Sequence, residues 1–325
     1  MRLMVAGGAG FVGSHLCRRL VADGHHVVCV DNLLTGSVSN IRDLVDLPQF
    51  EFLETDVADT PGRPVNVIFH LASPASPFDY DRYPLETLAA NSRGTWRLLE
   101  VAAAEGAALL YTSTSEVYGD PLVHPQPETY WGNVDPVGPR ACYDEAKRFG
   151  EALITSFRRK HGVRAAIVRL FNTYGPGMRL DDGRVIPELL SAALAGRPLT
   201  IHGDGQQTRS FMYIDDLIEG LIRVGLDPDL DGLVLNIGST EEITIADLAS
   251  RISAAFERDL PIAFVEGRPG DPNRRRPDTS RMLERYQWRP TIDLDAGLRR
   301  TIRSVVTETG PADLVPLAGS SRLAS

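Results

Sequence analysis

The chain has 325 residues, an apolar share of 43% and a formal net charge of -9. That length can bury a substantial core and suits two domains. The negative charge, with no basic run longer than Arg274-Arg275-Arg276, argues against a nucleic-acid-binding protein. Three cysteines, Cys17, Cys29 and Cys142, fit no zinc ligand spacing and point to a reducing compartment, so no metal site is expected. The opening "MRLMVAGGAGF" holds no apolar stretch long enough for a signal peptide or membrane span, so a cytoplasmic protein with no membrane partner is expected.

In chain order, "RLMVAGG" is a short apolar run ending in glycines, the pattern of a buried strand. "FVGSHLCRRLVADG" has apolar positions at helical spacing, closed by Gly24. "HHVVCVD", "FEFLETDV" and "VNVIFHLAS" read as further strands, and "PLETLAANSRGTWRLLEVAAAEG" reads as one helix. "AALLYTSTS" is the next strand, "ACYDEAKRFGEALITSFRRKHG" a long helix, and "RAAIVRLFN" a strand. Strands separated by helices predict an α/β fold, a doubly wound parallel sheet of Rossmann type covered on both faces. After Asn172 glycine and proline become frequent, as in "NTYGPGMRLDDGRVIP" and "GDGQQTRSF", and helices such as "DDLIEGLIRVGL" and "TIADLASRISAAF" sit between loops. This half is expected to form a smaller, interleaved C-terminal substrate domain. The division reads as a dinucleotide-binding domain at 1–172, with part of 210–238 returning to it. The substrate domain takes 173–209 and 239–308, and a loose tail 309–325.

"GGAGFVG" lies between the first strand and the first helix. Gly7, Gly10 and Gly13 let the backbone turn tightly and approach a pyrophosphate, and the helix N-terminus offers amides and positive dipole to the anion. Asp31 ends the second strand, where a carboxylate accepts from ribose hydroxyls and repels a 2′-phosphate. This favours NAD over NADP. Around this frame the expected cofactor contacts are Phe11 and Val12 in the glycine turn and Asn32, Thr35 and Gly36 after Asp31. Asp56 and Val57 follow the third strand, and Leu71, Ala72 and Ser73 follow the fourth.

"YDEAK" places Tyr143 and Lys147 on one helix face. The Lys147 ammonium is expected to favour the phenolate and lower the Tyr143 pKa, so that Tyr143 takes a proton from a sugar hydroxyl as hydride leaves; both residues join the cofactor set. Thr114 or Ser115, at the end of the hydroxyl-rich strand, supplies a third hydroxyl. His70 reads as a core or loop hydrogen-bonding residue, His25-His26 lack partner ligands, and Trp96 and Trp131 read as packing residues.

With "GGAGFVG" and "YDEAK", the chain resembles the extended short-chain dehydrogenase/reductases. "HLASPASP", "STSEVYGDP", "YWGNVDPVGPRACYDEAKR" and "FNTYGPGMRLDDGRV" resemble, more narrowly, the UDP-glucuronate decarboxylases, over about residues 1 to 305. The resemblance implies NAD as cofactor, a UDP-sugar as substrate and a homodimer. It also implies oxidation at C4, loss of the C6 carboxylate as CO2 from the resulting β-keto acid, and return of hydride to give UDP-xylose. Sugar-nucleotide 4,6-dehydratases carry Asp-Glu where this chain has Ser115-Glu116, and many 4-epimerases lack the Glu; Ser-Glu matches the decarboxylases. By the same resemblance Arg209 contacts the diphosphate, Asn172 and Arg184 contact the nucleotide sugar, and Arg275 in "RRRPD" faces the sugar carboxylate and protonates C5. Arg274 and Arg276 read as solvated, and Arg268 as a second phosphate contact.

Two departures stand out. His202 replaces a frequent Tyr near the base pocket, which leaves uracil against thymine open. Ala89-Ala90 stand where relatives carry Lys-Thr, which would loosen NAD(H) and release some 4-keto pentose. The alternatives are a glucuronate 4-epimerase, a 4,6-dehydratase or, in another class, a non-catalytic NAD-binding regulatory protein.

Overall fold

The computed structural model describes residues 1–267 and 272–309; the expected tail from residue 310 on, and Arg268, lie outside the described residues. The first half runs β1 (Arg2–Ala6), α1 (Phe11–Ala22), β2 (His26–Asp31), β3 (Phe50–Glu54), β4 (Val67–His70), α2 (Pro77–Arg82), α3 (Pro84–Ala89), α4 (Thr95–Glu105), β5 (Ala108–Thr114), α5 (Ala141–His161) and β6 (Ala165–Leu170). The second half runs β7 (Thr173–Tyr174), α6 (Val185–Leu194), β8 (Leu199–His202), β9 (Thr208–Ser210), β10 (Met212–Tyr213), α7 (Ile214–Gly225), β11 (Val234–Ile237), β12 (Glu242–Thr244), α8 (Ile245–Ala255), β13 (Ile262–Val265), β14 (Arg274–Arg275), α9 (Ser280–Tyr286) and α10 (Leu294–Thr309).

Seven parallel strands make the main sheet, in the order β11-β6-β5-β4-β1-β2-β3. The order reverses between β1 and β4, so the chain leaves the sheet in opposite directions there and opens a crevice at the strands' carboxyl ends. All of β5, "ALLYTST", is buried, as a strand covered on both faces requires. β11 returns to pair with β6, and α7 leans on α1, so the second half of the chain completes the first half's sheet. One apolar cluster runs from Leu3 and Leu16 through Leu217 and Leu248 to Leu298, joining the two halves.

The single helix expected over "PLETLAANSRGTWRLLEVAAAEG" is three pieces. α3 and α4 flank a wide π-helical turn at Ala90–Gly94. The cause is tertiary: a Cβ on Gly94 would sit 2.4 Å from Val57 Cγ1, so the backbone is pressed onto the loop after β3. Inside the turn, buried Asn91 donates to Ser73 Oγ at 2.8 Å and accepts from the Tyr111 hydroxyl at 2.9 Å. Widened turns of this kind are frequent at functional sites, and this one forms a wall of the crevice.

Three short sheets build the outer part of the second half: β10-β7, β13-β8 and β12-β9-β14. In the last, β14 lies parallel to β9 with Arg275 opposite Arg209, so two buried cations sit side by side.

Candidate active site

The glycine turn is a cradle that only bare backbone can make. Gly7 has φ +82°, and a Cβ there would meet Ala72 N at 2.7 Å; a Cβ on Gly13 would lie 2.0 Å from Gly7 O. Asp31 is tied into the same cradle: its Oδ2 accepts from Ala9 N and its Oδ1 from Leu33 N, each at 2.9 Å. Burial pushes the Asp31 carboxyl upward, and these two amides oppose the shift. Gly36 closes behind it, with space for a Cβ only 2.9 Å from Asp31 Oδ1.

The crevice is lined by Gly7, Gly10, Phe11, Val12, Asp31, Asn32, Thr35, Gly36, Asp56, Val57, Leu71, Ala72 and Ser73, which brings the expected cofactor set, apart from Gly13, Tyr143 and Lys147, into one surface. Gly13 stands behind the wall as the close contact to Gly7. Asp56 accepts from Asn32 Nδ2 at 2.8 Å and caps the turn after β3 through Ala58 N. Ala89 and Ala90 line the opposite wall. The far rim is the loop before α6: Arg179 donates to Asp79 at 2.8 Å, and Arg184 pairs with Asp182. Arg184, expected at the nucleotide sugar, therefore stands on the crevice shared with the cofactor residues. A bare-backbone turn at a helix N-terminus, with a carboxylate at the end of the neighbouring strand, fits a dinucleotide.

Deeper in, β5 delivers Thr114 to its end, and a single 3-10 turn, Ser115–Tyr118, follows. The Thr114 hydroxyl accepts from Glu116 N at 3.2 Å and bonds the Tyr143 phenol. Tyr143 is 5% exposed and stacks on Tyr80 at 5.1 Å between ring centroids. Lys147 lies one turn further along α5, as its spacing predicts, but its Nζ donates to Thr112 O at 2.9 Å and stands 5.9 Å from the Tyr143 ring centroid. Burial is the largest influence on both groups. It brings Lys147 down to about 7, with Glu151 opposing. It raises Tyr143, as does the Glu116 charge, with only partial relief from Thr114. The expected lowering of Tyr143 by Lys147 is thus corrected for this state of the protein: Lys147 is engaged by a backbone carbonyl, and dehydration of the phenolate dominates.

Glu116 is not a surface residue. Arg140 Nη2 donates to its Oε2 at 2.6 Å, and Arg275 Nη1 stands 3.6 Å from its Oε1. Burial alone would raise Glu116, but Arg140, then Arg275, then a hydrogen bond from Asp144 hold it below the usual carboxylate range. Asp144 takes the reverse course: burial and the neighbouring Glu116 push it up to about 8, against the pull of both arginines. Sequence reasoning found Tyr143 and Lys147 and passed over Arg140 and Asp144 in "RACYDEAK". The signal was available, because Arg140 and Asp144 are also four apart.

Ser115 is buried beside Glu116, and Asn172 marks the crossing between the halves, its side chain donating to Ser210 O at 3.4 Å. Arg209 is 7% exposed and donates to its neighbour's carbonyl, Thr208 O. Two expectations are corrected. Arg274 is solvated as expected, 60% exposed with only a 3.9 Å approach to Glu242, whereas Arg276 is half-buried, 3.8 Å from the same Glu242, which also pairs with His124 at 3.0 Å. Trp96, though 50% exposed, packs edge-on against Phe157 at 5.0 Å between ring centroids, whereas Trp131, 89% exposed, is not a packing residue. His70 is fully buried, with Nε2 at 2.9 Å from Thr95 Oγ1, as a core hydrogen-bonding residue should be.

The model of the NAD dependent epimerase/dehydratase family matches residues 3–238. The chain belongs to that family. NAD is its cofactor, and the glycine cradle with Asp31 is where this chain's residues fit it. UDP-glucuronic acid decarboxylase 6 of Arabidopsis thaliana is 46% identical over 92% of this chain and 87% of its own length. Among solved structures, UDP-glucose 4-epimerase with UDP-glucose from Thermotoga maritima superposes with a TM-score of 0.87 at 28% identity, over 95% of this chain and 100% of that one. UDP-glucuronic acid 4-epimerase from Bacillus cereus, in complex with UDP-glucuronic acid and NAD, gives 0.84 at 30% identity, over 94% and 99%. The chain is thus similar both to decarboxylases in sequence and to epimerases in fold.

Proposed function

We propose that this chain decarboxylates UDP-glucuronic acid to UDP-xylose through a 4-keto pentose. The observation that carries the reading is the charge cluster at the end of β5. With Asp144 protonated, the group of Arg140, Arg275, Glu116 and Asp144 has one positive charge left over, which suits a sugar bearing a carboxylate. The decarboxylase relatives add support at higher identity than the epimerase structures.

Tyr143, with Thr114 and Ser115 orienting the oxygen, takes the proton from the C4 hydroxyl. NAD held on the glycine cradle of Gly7, Gly10 and Gly13 beside Asp31 would supply the hydride acceptor for C4 and the hydride that is returned there. The C4 ketone turns the sugar acid into a β-keto acid, so the electrons left by departing CO2 flow into the carbonyl. Arg275 holds the carboxylate before it leaves, Arg209 beside it takes the diphosphate, and Asn172 and Arg184 border the sugar. The stack of Tyr80 on Tyr143 and the burial of the site keep water away from the enolate.

The division into a cofactor domain at 1–172 with part of 210–238, and a substrate domain at 173–209 and 239–308, goes with this reading, as does a cytoplasmic location. A homodimer does too: Leu85, Leu88, Trp96 and Phe149 are exposed apolar residues on α3, α4 and α5, where a second copy would cover them. Ala89 and Ala90 on the crevice wall support release of some 4-keto sugar with NADH, since neither offers a cation to the cofactor. The test is incubation with UDP-glucuronic acid and NAD, following CO2 and product mass. A UDP-pentose with CO2 supports the reading. An isomer of unchanged mass would instead make the chain a glucuronate 4-epimerase.

A further inference from the structure

The glycine cradle meets a cofactor with backbone, and cations are scarce around it. Among the described residues that line the crevice the cations are Arg179 and Arg184, and both are already engaged by carboxylates, Asp79 and Asp182. Asp31, Asp56 and Glu86 on the same walls add negative charge. A reaction that takes a hydride from C4 and later returns it needs NADH to stay in place in between. With so little positive charge on the walls, what keeps it there has to be closure of the crevice.

The segment 175–184, between β7 and α6, is built for that closure. It is tied to α1, the helix that starts at the cradle: His15 donates Nε2 to Pro176 O at 2.9 Å. It is tied again to α2: Arg179 Nη2 donates to Asp79 Oδ1 at 2.8 Å, and a Cβ on Gly183 would lie 3.5 Å from Phe78 Cβ. Between these ties the segment lines the crevice through Gly177 and Arg179, so it spans the mouth as a strap. The two partners of the ion pair differ. Asp79 is 8% exposed, and its Oδ2 accepts from Ser76 Oγ at 2.8 Å, which fixes the carboxylate at the start of α2. The Arg179 side chain is 41% exposed and reaches in from the solvent side. Gly177 and Gly183 stand on either side of it at φ +79° and +77°, where glycine alone is unstrained, and such positions absorb the backbone change when a loop swings.

We infer that the Arg179–Asp79 ion pair is a clasp that shuts this strap over bound NAD(H), so that its opening sets how fast the cofactor leaves. The clasp also decides how much 4-keto pentose is reduced and how much escapes with NADH; that consequence rests on the decarboxylase reading, and the clasp itself does not. Both residues act on the cofactor through the strap and are positioning residues. Asp79 is followed by Tyr80, which stacks on Tyr143, so one short helix both fastens the strap and backs the base. A partly exposed ion pair adds little to stability, which suits a contact that must open at every cofactor exchange.

The experiment follows NADH release from the whole chain by stopped-flow fluorescence, with no sugar present. It compares wild type, Arg179→Gln, Asp79→Asn and the double variant, with thermal melting as the control for folding. Each single change should speed release by about 3- to 10-fold. The double variant should release no faster than the quicker single one, because both changes remove the same contact. Wild-type release should quicken with added salt, and release from Arg179→Gln should respond much less. If Arg179 instead grips the cofactor itself, Asp79→Asn frees it and slows release while Arg179→Gln speeds it. That result overturns the inference, as do additive effects in the double variant or wild-type rates in both single ones. Where Asp79→Asn fails to fold, Arg179→Gln, a change at a half-exposed side chain, decides by its rate and its salt response. With UDP-glucuronic acid and NAD, Arg179→Gln should raise the share of 4-keto pentose and free NADH. Faster release with an unchanged product split overturns the clasp's part in product choice. A wild type that releases no CO2 overturns the decarboxylase reading, and the release rates still decide the clasp.

Discussion

The cofactor crevice and the charge cluster at the end of β5 are built from different materials. The cofactor end is mostly backbone: Gly7 and Gly13 are in contact with neighbouring main chain, and Asp31 is fixed by two amides rather than by a cation. The reactive end is mostly side-chain charge, with Arg140, Arg275, Glu116 and Asp144 buried together. A backbone cradle leaves little room for a side chain at Gly7 or Gly13. A cluster of side chains can change one residue at a time.

That contrast can be attacked residue by residue. The largest effect is expected from Tyr143→Phe, which removes the base while leaving the cradle alone: turnover should fall by about 10²- to 10⁴-fold, with NAD affinity by titration nearly unchanged. Gly13→Ala strikes the other end. Its methyl would lie 2.0 Å from Gly7 O, and overpacking of this kind costs about 1–3 kcal/mol, so NAD binding should weaken by about 10- to 100-fold or the cradle should open. If Gly13→Ala instead bound NAD normally, the backbone cradle would not be what holds the cofactor. Arg275→Ala leaves Glu116 with one guanidinium and should raise the KM for UDP-glucuronic acid more than that for a neutral UDP-hexose; equal changes would remove Arg275 from carboxylate recognition. A smaller effect is expected from Asp31→Ala. It drops two amide hydrogen bonds and the negative charge at the end of β2, so the preference for NAD over NADP should narrow by about tenfold, as for the loss of about 1.4 kcal/mol.

Much of this division was legible in the sequence, and for a physical reason. Gly7, Gly10, Gly13 and Asp31 act through local geometry, a strand, a turn and a helix start within one stretch of chain, and local geometry writes itself into local sequence. Tyr143 and Lys147 were legible because a helix puts residues four apart on one face. What the pattern did not carry was long-range. The π-helical turn at Ala90–Gly94 exists because Gly94 is pressed onto Val57, a contact between segments separated in the chain by a whole strand and two helices. Arg275 reaches Glu116 only because β14 pairs with β9, and two-residue strands leave no periodicity to read. The exposure of Trp96 and Trp131 follows from which face of the assembled fold they occupy, and residue type alone points the other way. Lys147 donates instead to Thr112 O, on a strand that spacing along α5 does not reveal.

The most direct measurement is to incubate the purified protein with UDP-glucuronic acid and NAD and follow CO2 together with the mass of the nucleotide sugar. The account predicts one CO2 for each UDP-pentose formed. A sugar of unchanged mass with no CO2 would contradict it, and would move Glu116 and its arginines from decarboxylation to the handling of a carboxylate that stays on the ring.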